Sequence, residues 1–591
     1  MRKNKCRLFL FGSVFLLMLT VCGCQNAGST SGVSVGTDEN GKEAGWENTG
    51  ENSIENGQTD FSGKDKAVTE LTDGRIMIFS PERVLVTEER FFSENTLLKI
   101  EAPEHTKVYY TTDGSEPNTN AKEYTGPIEL RAATGSFPNC LLLKVKAYYP
   151  DGTRSEIITH TFWAHEEIEN RFPTIVFSVS GRPEDLTKGE NAIFYEDNVK
   201  QRGRESEREV YIEAINSDGS LIFEQGAGVR PYGGASRESA IKSMKLFARK
   251  EYDPDHGKFK IDVYGTMGAD GEIINKYDKL VLRNYGNDFQ FAFIRDELNQ
   301  RLAAQMGYTD CEAVVPAVVY LNGEYYGLHY LHENYCDDFF KDKYGDGEGR
   351  YEVLEGNERH KNVDEDDEEN AAAAKEFNTK YKLLAYSDLT YEGNYEKLCD
   401  FIDVENYLQF YAFNTYIGNN DWPQNNYKCY RYYAGEGEEY GEGEQDGRWR
   451  FLFHDMDYSM GLYGQDETAA DYNHLADLFD EEEDSYSPLF AGLMEREDCR
   501  EYFLAEMQRI MTGPMWSKNV NQTIDNMNEE RGMEMVYFFE HLEKLKKTDD
   551  SIWIWYDEYL ERIDRIKSFA GKRKAYMEGF LKKQFGEGAV N

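Results

Sequence analysis

Asp421, Asn426, Asp455 and Asp457 have the types and spacing to carry chemistry in this chain. Asp421 and Asn426 stand five residues apart in Asn419-Asn-Asp-Trp-Pro-Gln-Asn-Asn426, and the other two close His454-Asp-Met-Asp457. Mg²⁺ is a hard cation that takes oxygen ligands, and two carboxylates brought together repel unless a cation neutralises them. Phosphoryl transfer needs this combination. Asp421 accepts the proton of an incoming hydroxyl, while Asp455, helped by the Asn426 amide oxygen, holds the metal against the phosphates. Asp457 completes the metal site or orients its neighbours.

The surrounding pattern predicts how these groups are positioned. Val404, Tyr407, Leu408, Tyr411, Ala412 and Thr415 fall on one helical face behind Asp403 as N-cap, and Pro423 ends the helix so that Asp421 sits in a loop. A strand over 427–433, an acidic glycine-laden turn over 435–447 and a second strand over 448–453 form a hairpin. That hairpin returns the chain to its start and brings Asp455 to Asp421 and Asn426. Upstream, strand-like runs at 174–179, 209–214, 277–283 and 313–321 dominate to about residue 330 before helices take over, an α+β pattern. The glycine-rich run 226–237 predicts a backbone anion site, with Arg230, Arg237 and Lys242 as cations for the phosphates; Lys245 competes with Lys242.

The Asp421-to-Asn426 spacing is that of the base and metal-binding asparagine in the protein-kinase catalytic loop. Gly228-Val-Arg-Pro-Tyr-Gly-Gly-Ala-Ser-Arg237, Lys242-Ser-Met-Lys-Leu-Phe-Ala-Arg249 and Leu282-Arg-Asn-Tyr-Gly-Asn-Asp288 stand in order ahead of it. With Leu321-Asn-Gly-Glu-Tyr-Tyr-Gly-Leu-His-Tyr-Leu-His-Glu333 and the two aspartate motifs, they resemble the spore coat protein H (CotH) kinase family over roughly 172–465. The resemblance implies a two-lobed, atypical, secretory-kinase-like fold that phosphorylates serine in proteins with ATP and Mg²⁺, or Mn²⁺. It makes Asp421 the catalytic aspartate, Asp455 the metal aspartate and Lys242 the nucleotide lysine. Arg283 and Glu333 sit in family motifs without an assigned role. Two features depart from the pattern: no His-Arg pair precedes Asp421, and Met456 replaces an aromatic residue in the metal motif.

Ahead of this 172–591 region, residues 67–166 read as short alternating strands divided by Asp113-Gly114, Gly126-Pro127 and Asp151-Gly152, an antiparallel β-sandwich. Val108-Tyr-Tyr-Thr-Thr-Asp-Gly-Ser-Glu-Pro117 resembles the small Ig-like domain at the C-terminus of chitobiase and β-hexosaminidase. That implies a spacer or a glycan contact and carries no catalytic pair. Residues 25–66 are too poor in apolar side chains to order themselves and read as a tether. Residues 1–24 read as a signal peptide: a basic start, an apolar run too short to span a bilayer, then Val21-Cys-Gly-Cys24. The end of that segment resembles a bacterial lipobox, with Cys24 lipidated and the chain anchored on the outer face of the cell membrane.

The net charge of -43 argues against nucleic acid as partner and favours a Lys/Arg-rich acceptor protein. The six cysteines after Cys24 contain no CxxC pair and signal neither a zinc ribbon nor a disulfide scaffold. ATP is scarce outside a cell, so the alternative is a surface binding or adhesion protein on an inactive kinase-like scaffold. A glycosyltransferase using Asp455-Met-Asp457 is the third reading.

Overall fold

The structure is a computed structural model that describes residues 89–590, except 363–366 and 465, and the strands Thr72–Ile78 and Val84–Val86. The signal segment, Cys24 and the 25–66 tether lie outside the described residues.

The N-terminal β-rich region contains two sheets. Val84–Val86, Thr72–Ile78, Thr96–Glu101 and Ile128–Leu130 form one; Phe91–Phe92, Ile158–Ala164, Asn139–Tyr148, Lys107–Thr111 and Lys122–Glu123 form the other. Alternating residues from both, among them Leu98, Ile100, Val108, Tyr110, Leu143 and Val145, meet in one apolar core. The expected all-antiparallel arrangement needs correction. Thr72–Ile78 runs parallel to Thr96–Glu101, and Phe91–Phe92 parallel to Ile158–Ala164. Parallel neighbours require a crossover, and the chain makes one by visiting the second sheet at Phe91–Phe92.

The next region builds a closed seven-stranded barrel. Its order is Ile175–Ser180, Arg208–Ile215, Leu221–Tyr232, Ser243–Phe247, Lys279–Arg283, Glu324–His332, Val314–Leu321. Adjacent pairs are antiparallel except the closing one, where Ile175–Ser180 runs parallel to Val314–Leu321. Period-2 alternation sends Phe177, Val179, Ile212, Val229, Leu246 and Leu282 into the interior. The glycine-rich run read as a backbone anion site is strand in its first part: Gly226–Val229 pair with Arg208–Tyr211, which commits this backbone to the sheet. A Cβ at Gly226 or Gly228 would lie 2.5 Å from the Tyr252 carbonyl or Glu207, and the chain leaves the strand at Gly233. The sandwich docks on this barrel through buried charge: Arg90 donates to Glu213 at 3.2 Å and Glu224 at 3.1 Å, and the Thr161 hydroxyl donates to Glu213 at 2.6 Å.

After the barrel come a three-stranded sheet of Arg350–Gly356, Tyr427–Tyr433 and Arg450–Leu452 and a helical region ending in Tyr556–Phe585. The expected hairpin is therefore two strands of a three-stranded sheet. Two acids on its long turn are held internally: Glu438 accepts from Tyr432 and the Gly435 N–H, and Asp446 is clamped by Arg448 and Arg450. Among the described residues no helix is long and apolar enough to cross a membrane. The six described cysteines are unpaired.

The Val404–Ile417 helix carries the Asp421 loop. Asp403 caps it, accepting from the Asn406 N–H at 3.1 Å. It ends at Gly418, not at Pro423: Gly418 adopts φ 67° and its N–H closes the last turn on Thr415. An added Cβ at Gly418 would lie 2.9 Å from His474 Cε1. Gly418→Ala is expected to lower stability by about 1–2 kcal/mol from the left-handed backbone alone, with the His474 contact adding to it; the urea midpoint reads this.

Candidate active site

Antiparallel register begins the convergence. Lys428 pairs with Leu452 and Cys429 with Phe451, so continuing outward brings Asn426 alongside His454 and Asp455. The Asn420 N–H donates to the Tyr458 carbonyl at 3.0 Å and the Met460 N–H to the Ile417 carbonyl at 2.9 Å, which laces the loop that carries Asp421 to the segment after Asp455. Asp421 accepts from the Asn425 amide at 2.9 Å and the Asn426 amide at 2.8 Å. Asn426 and Asp455 both adopt left-handed backbone, φ 53° and 52°, a conformation that non-glycine residues hold mainly where surrounding structure imposes it, often at functional sites.

The carboxylates feel one another. Burial raises Asp421; Asn425 opposes that, and the charge of Asp455 adds to it. Burial would also raise Asp455, but Arg283 and His454 hold it down at about 2. Asp457 is pushed well up by burial and by Asp455.

Arg283, given no role by sequence reasoning, is the hub. Its guanidinium donates to Asp455 and, at 3.0 Å, to Asp457, and lies 3.3 Å from Asp296. Asp457 is fully buried and has both oxygens occupied: Oδ2 by Arg283 and the Asn287 N–H at 2.7 Å, Oδ1 by the Asn287 amide at 3.1 Å. Of its two predicted roles the geometry fits orientation. Gly286, φ 57°, makes room for it, since a Cβ there would fall 2.0 Å from Asp457 Oδ2.

The Arg295–Gln305 helix supports the metal motif with a buried polar face. Asp296 accepts from the Met456 N–H at 2.9 Å, Asn299 donates to the Met456 carbonyl at 3.1 Å, and Gln300 donates to the Phe453 carbonyl at 3.1 Å. Position 456 is thus held by its backbone while its side chain lies in the apolar core, which is how methionine serves there. Behind it runs a buried charge chain. Lys428 lies 3.2 Å from His454, His454 3.2 Å from Glu312, Glu312 2.9 Å from His332, and His332 3.2 Å from Glu297. Burial opposes the charged form of His332, but Glu297 and Glu312 raise it to about 9. The Arg-Asp-Glu-Leu-Asn-Gln run at 295–300 was the available signal: five polar residues in six, all buried.

The expected phosphate cations are placed differently. Lys242 donates its ammonium to the Ser239 carbonyl at 2.5 Å, in its own loop. Arg237 donates to the carbonyls of Gly233, Val199 and Gln201 at 2.6–2.9 Å. Arg230 pairs with buried Glu207 at 2.7 Å. Each is committed to a local partner. Lys245 instead lies 5.7 Å from the centre of the Tyr232 ring, and Tyr232, Arg283 and Lys428 line a common small cavity of about 10 Å³. Burial, then the charges of Lys279 and Lys428, pull Lys245 down to about 7. Burial opposes the charge on Lys428, yet Glu355 and other acids hold it above the usual lysine range. Glu333 is buried and accepts from Thr266 at 2.6 Å and the Ala313 N–H at 3.0 Å, bracing the barrel's end. The open donors are hard oxygens on mutually repelling acids, and such a set fits a divalent cation.

The family model described as CotH kinase protein matches residues 229–577, and one described as Fn3 associated matches 98–162, within the stretch read as chitobiase-like. More than half of the chain is covered by the first, and the chain belongs to the CotH kinase protein family. A comparison with curated proteins gives no match.

Arg283→Met would leave Asp457 and Asp296, both fully buried, without their cation. The expected loss is about 3–5 kcal/mol of unfolding free energy, read by chemical denaturation, whereas replacing an exposed arginine such as Arg131 should leave the denaturation midpoint nearly unchanged.

Proposed function

We propose that the protein is an ATP- and Mg²⁺-dependent protein serine kinase with a two-lobed, secretory-kinase-like catalytic region. The observation that supports it most is the meeting of Asp421, Asn426 and Asp455, with Lys428 near enough to feel the charge of Asp455. The barrel serves as the nucleotide-side lobe and the helical region as the acceptor-side lobe.

Asp421 accepts the proton of the acceptor hydroxyl. Its amide contacts with Asn425 and Asn426 fix the carboxylate's direction, and its raised proton affinity suits it to that transfer. Asn426 uses its amide nitrogen on Asp421, so its oxygen is the atom offered to a cation. Asp455 and that oxygen would hold Mg²⁺, which when bound supplies charge neutralisation at the β/γ-phosphates. Asp457 positions Asp455 through their common partner Arg283. Lys245 from the barrel and Lys428 from the three-stranded sheet present positive charge to the nucleotide phosphates.

The strongly negative chain favours a basic acceptor by charge complementarity. A lipid on Cys24 and the 25–66 tether would place the kinase on the outer face of the cell membrane, with the sandwich as spacer.

Asp421→Asn is expected to cut kcat by at least about 100-fold with Mg·ATP affinity within about twofold of the parent; single-turnover phosphate transfer and calorimetry separate the two. Equal loss of affinity would contradict the base role. Asp455→Ala should instead remove the metal dependence of nucleotide binding.

Lys245 gives a pH signature. Its charged form meets phosphate, and its folded-state value is lowered to about 7, so it loses charge as pH rises through 7. Mg·ATP affinity should therefore fall from pH 6 to pH 8, and at pH 7 binding should take up about half a proton. Calorimetry in buffers of different ionisation enthalpy reads the uptake; Lys245→Met should abolish it.

A further inference from the structure

Two buried cations flank the loop that carries Asp421, and both direct their donors at backbone. Arg573, on the Tyr556–Phe585 helix, is fully buried. Its Nε and Nη2 donate to the Tyr416 and Thr415 carbonyls at 2.8 Å each, in the last turn of the Val404–Ile417 helix. Its Nη1 donates to the Ala470 and Tyr472 carbonyls at 2.8 and 2.7 Å. Lys361 is equally buried. Its ammonium donates to the Tyr427 carbonyl at 3.0 Å and the Asn357 carbonyl at 2.8 Å, and lies 3.8 Å from the centre of the Tyr427 ring. The turn that ends at Lys361 adds a second tie, since the Glu358 N–H donates to the Pro423 carbonyl at 3.0 Å.

Neither cation has a carboxylate partner among the described residues. Glu358 and Glu355 act on Lys361, and Asp471 on Arg573, only as more distant charges. Burial pulls Lys361 down to about 8 and Arg573 down to about 10. Taking a cation out of water without a counter-ion is costly, and an apolar side chain of similar length would avoid that cost. An apolar side chain cannot fix a carbonyl, however, and the carbonyls in question border the reactive groups. The last carbonyls of a helix lack partners within it and sit at its negative end, where a cation is favoured. Tyr427 directly follows Asn426, whose left-handed backbone, φ 53°, persists only where its surroundings impose it.

We infer that Arg573 and Lys361 are positioning residues for the phosphotransfer site: Arg573 fixes where the chain enters the Asp421 loop, and Lys361 fixes where it leaves, immediately after Asn426. The inference rests on the kinase reading for what Asp421 and Asn426 do; the holding of the loop stands on the hydrogen bonds themselves. It gives the C-terminal helix a part in the site although that helix contributes no reacting group.

The first test needs no metal. Lys361→Met and Arg573→Met remove charge and donors while keeping an unbranched side chain. Hydrogen exchange of the full chain, read by mass spectrometry, should speed at least about tenfold in peptides within 418–427 in each variant, and stay within about twofold in the Lys107–Thr111 strand of the sandwich. The second test reads the two ends separately. Mg²⁺ titrated by calorimetry into the chain with ADP, where nothing turns over, should bind at least about fivefold more weakly in Lys361→Met, because Asn426 is no longer directed. In Arg573→Met that affinity should stay within about twofold of the parent, while phosphate transfer from ATP slows at least about tenfold. A merely structural role would move metal affinity and transfer rate together in both variants, and that outcome would overturn the inference, as would unchanged exchange in 418–427. Lys361→Gln and Arg573→Lys, which keep a donor at each place, serve if the methionine variants fail to fold and should show the same split at smaller amplitude. A parent chain that binds no Mg²⁺ with ADP, or transfers no phosphate, would overturn the kinase reading, while the exchange result would still decide whether the two cations hold the loop.

Discussion

One guanidinium, that of Arg283, is where the catalytic region is tied together. It ends a barrel strand and reaches acids on two other elements, Asp296 on the supporting helix and Asp455 and Asp457 on the metal motif. Three carboxylates this close would drive one another apart in a medium that screens poorly. The arginine makes their approach favourable and so joins a barrel strand to the Arg295–Gln305 helix and the 455–457 segment. It also leaves the three acids unequal: Asp457 is saturated and buried, while Asp455 keeps 28% of its side chain exposed. The division between a positioning acid and an accessible acid follows from where one cation sits.

The same alternation of sign continues inward. Lys428, His454, Glu312, His332 and Glu297 form a row in which each charge has an opposite or hydrogen-bonding neighbour. Buried polar rows of this kind add little net stability, because removing charge from water offsets much of the attraction. Their value lies in geometry, since satisfied networks specify one arrangement and penalise others. Here the row links the Arg295–Gln305 helix to the strand that carries Lys428, so Lys428 and the His454–Asp457 segment share one support.

Much of this was legible in the sequence. Apolar runs marked four of the seven barrel strands, the Asp403 cap and the 404–415 periodicity marked the loop-bearing helix, and the hairpin reading anticipated that Asp455 comes near Asp421. The misplacements have physical causes. Lys242 and Lys245 differ by register, and a strand inverts every side chain with a one-residue shift. Only the pairing of Lys245 with Arg230 shows which lysine shares the Tyr232 face, while Lys242 precedes the strand's first residue. The glycines at 226 and 228 read as part of an anion site because close backbone approach calls for the same residue type whether the neighbour is a ligand or, as here, Tyr252 and Glu207. Arg283 carried no local signal, since its partners come from residues 296, 455 and 457 and are assembled only by tertiary structure.

Barrel closure has a consequence for synthesis. The strand that opens the ring finds its last neighbour far downstream; Thr174 bonds to Pro316, 142 residues later. A chain emerging in order keeps one edge of Ile175–Ser180 uncapped until that stretch arrives, and such edges are templates for unwanted pairing. A fragment ending before residue 314 can never cap it. Truncations intended to isolate the barrel should therefore retain everything through His332, or they will yield a sheet with two adhesive margins in place of a ring.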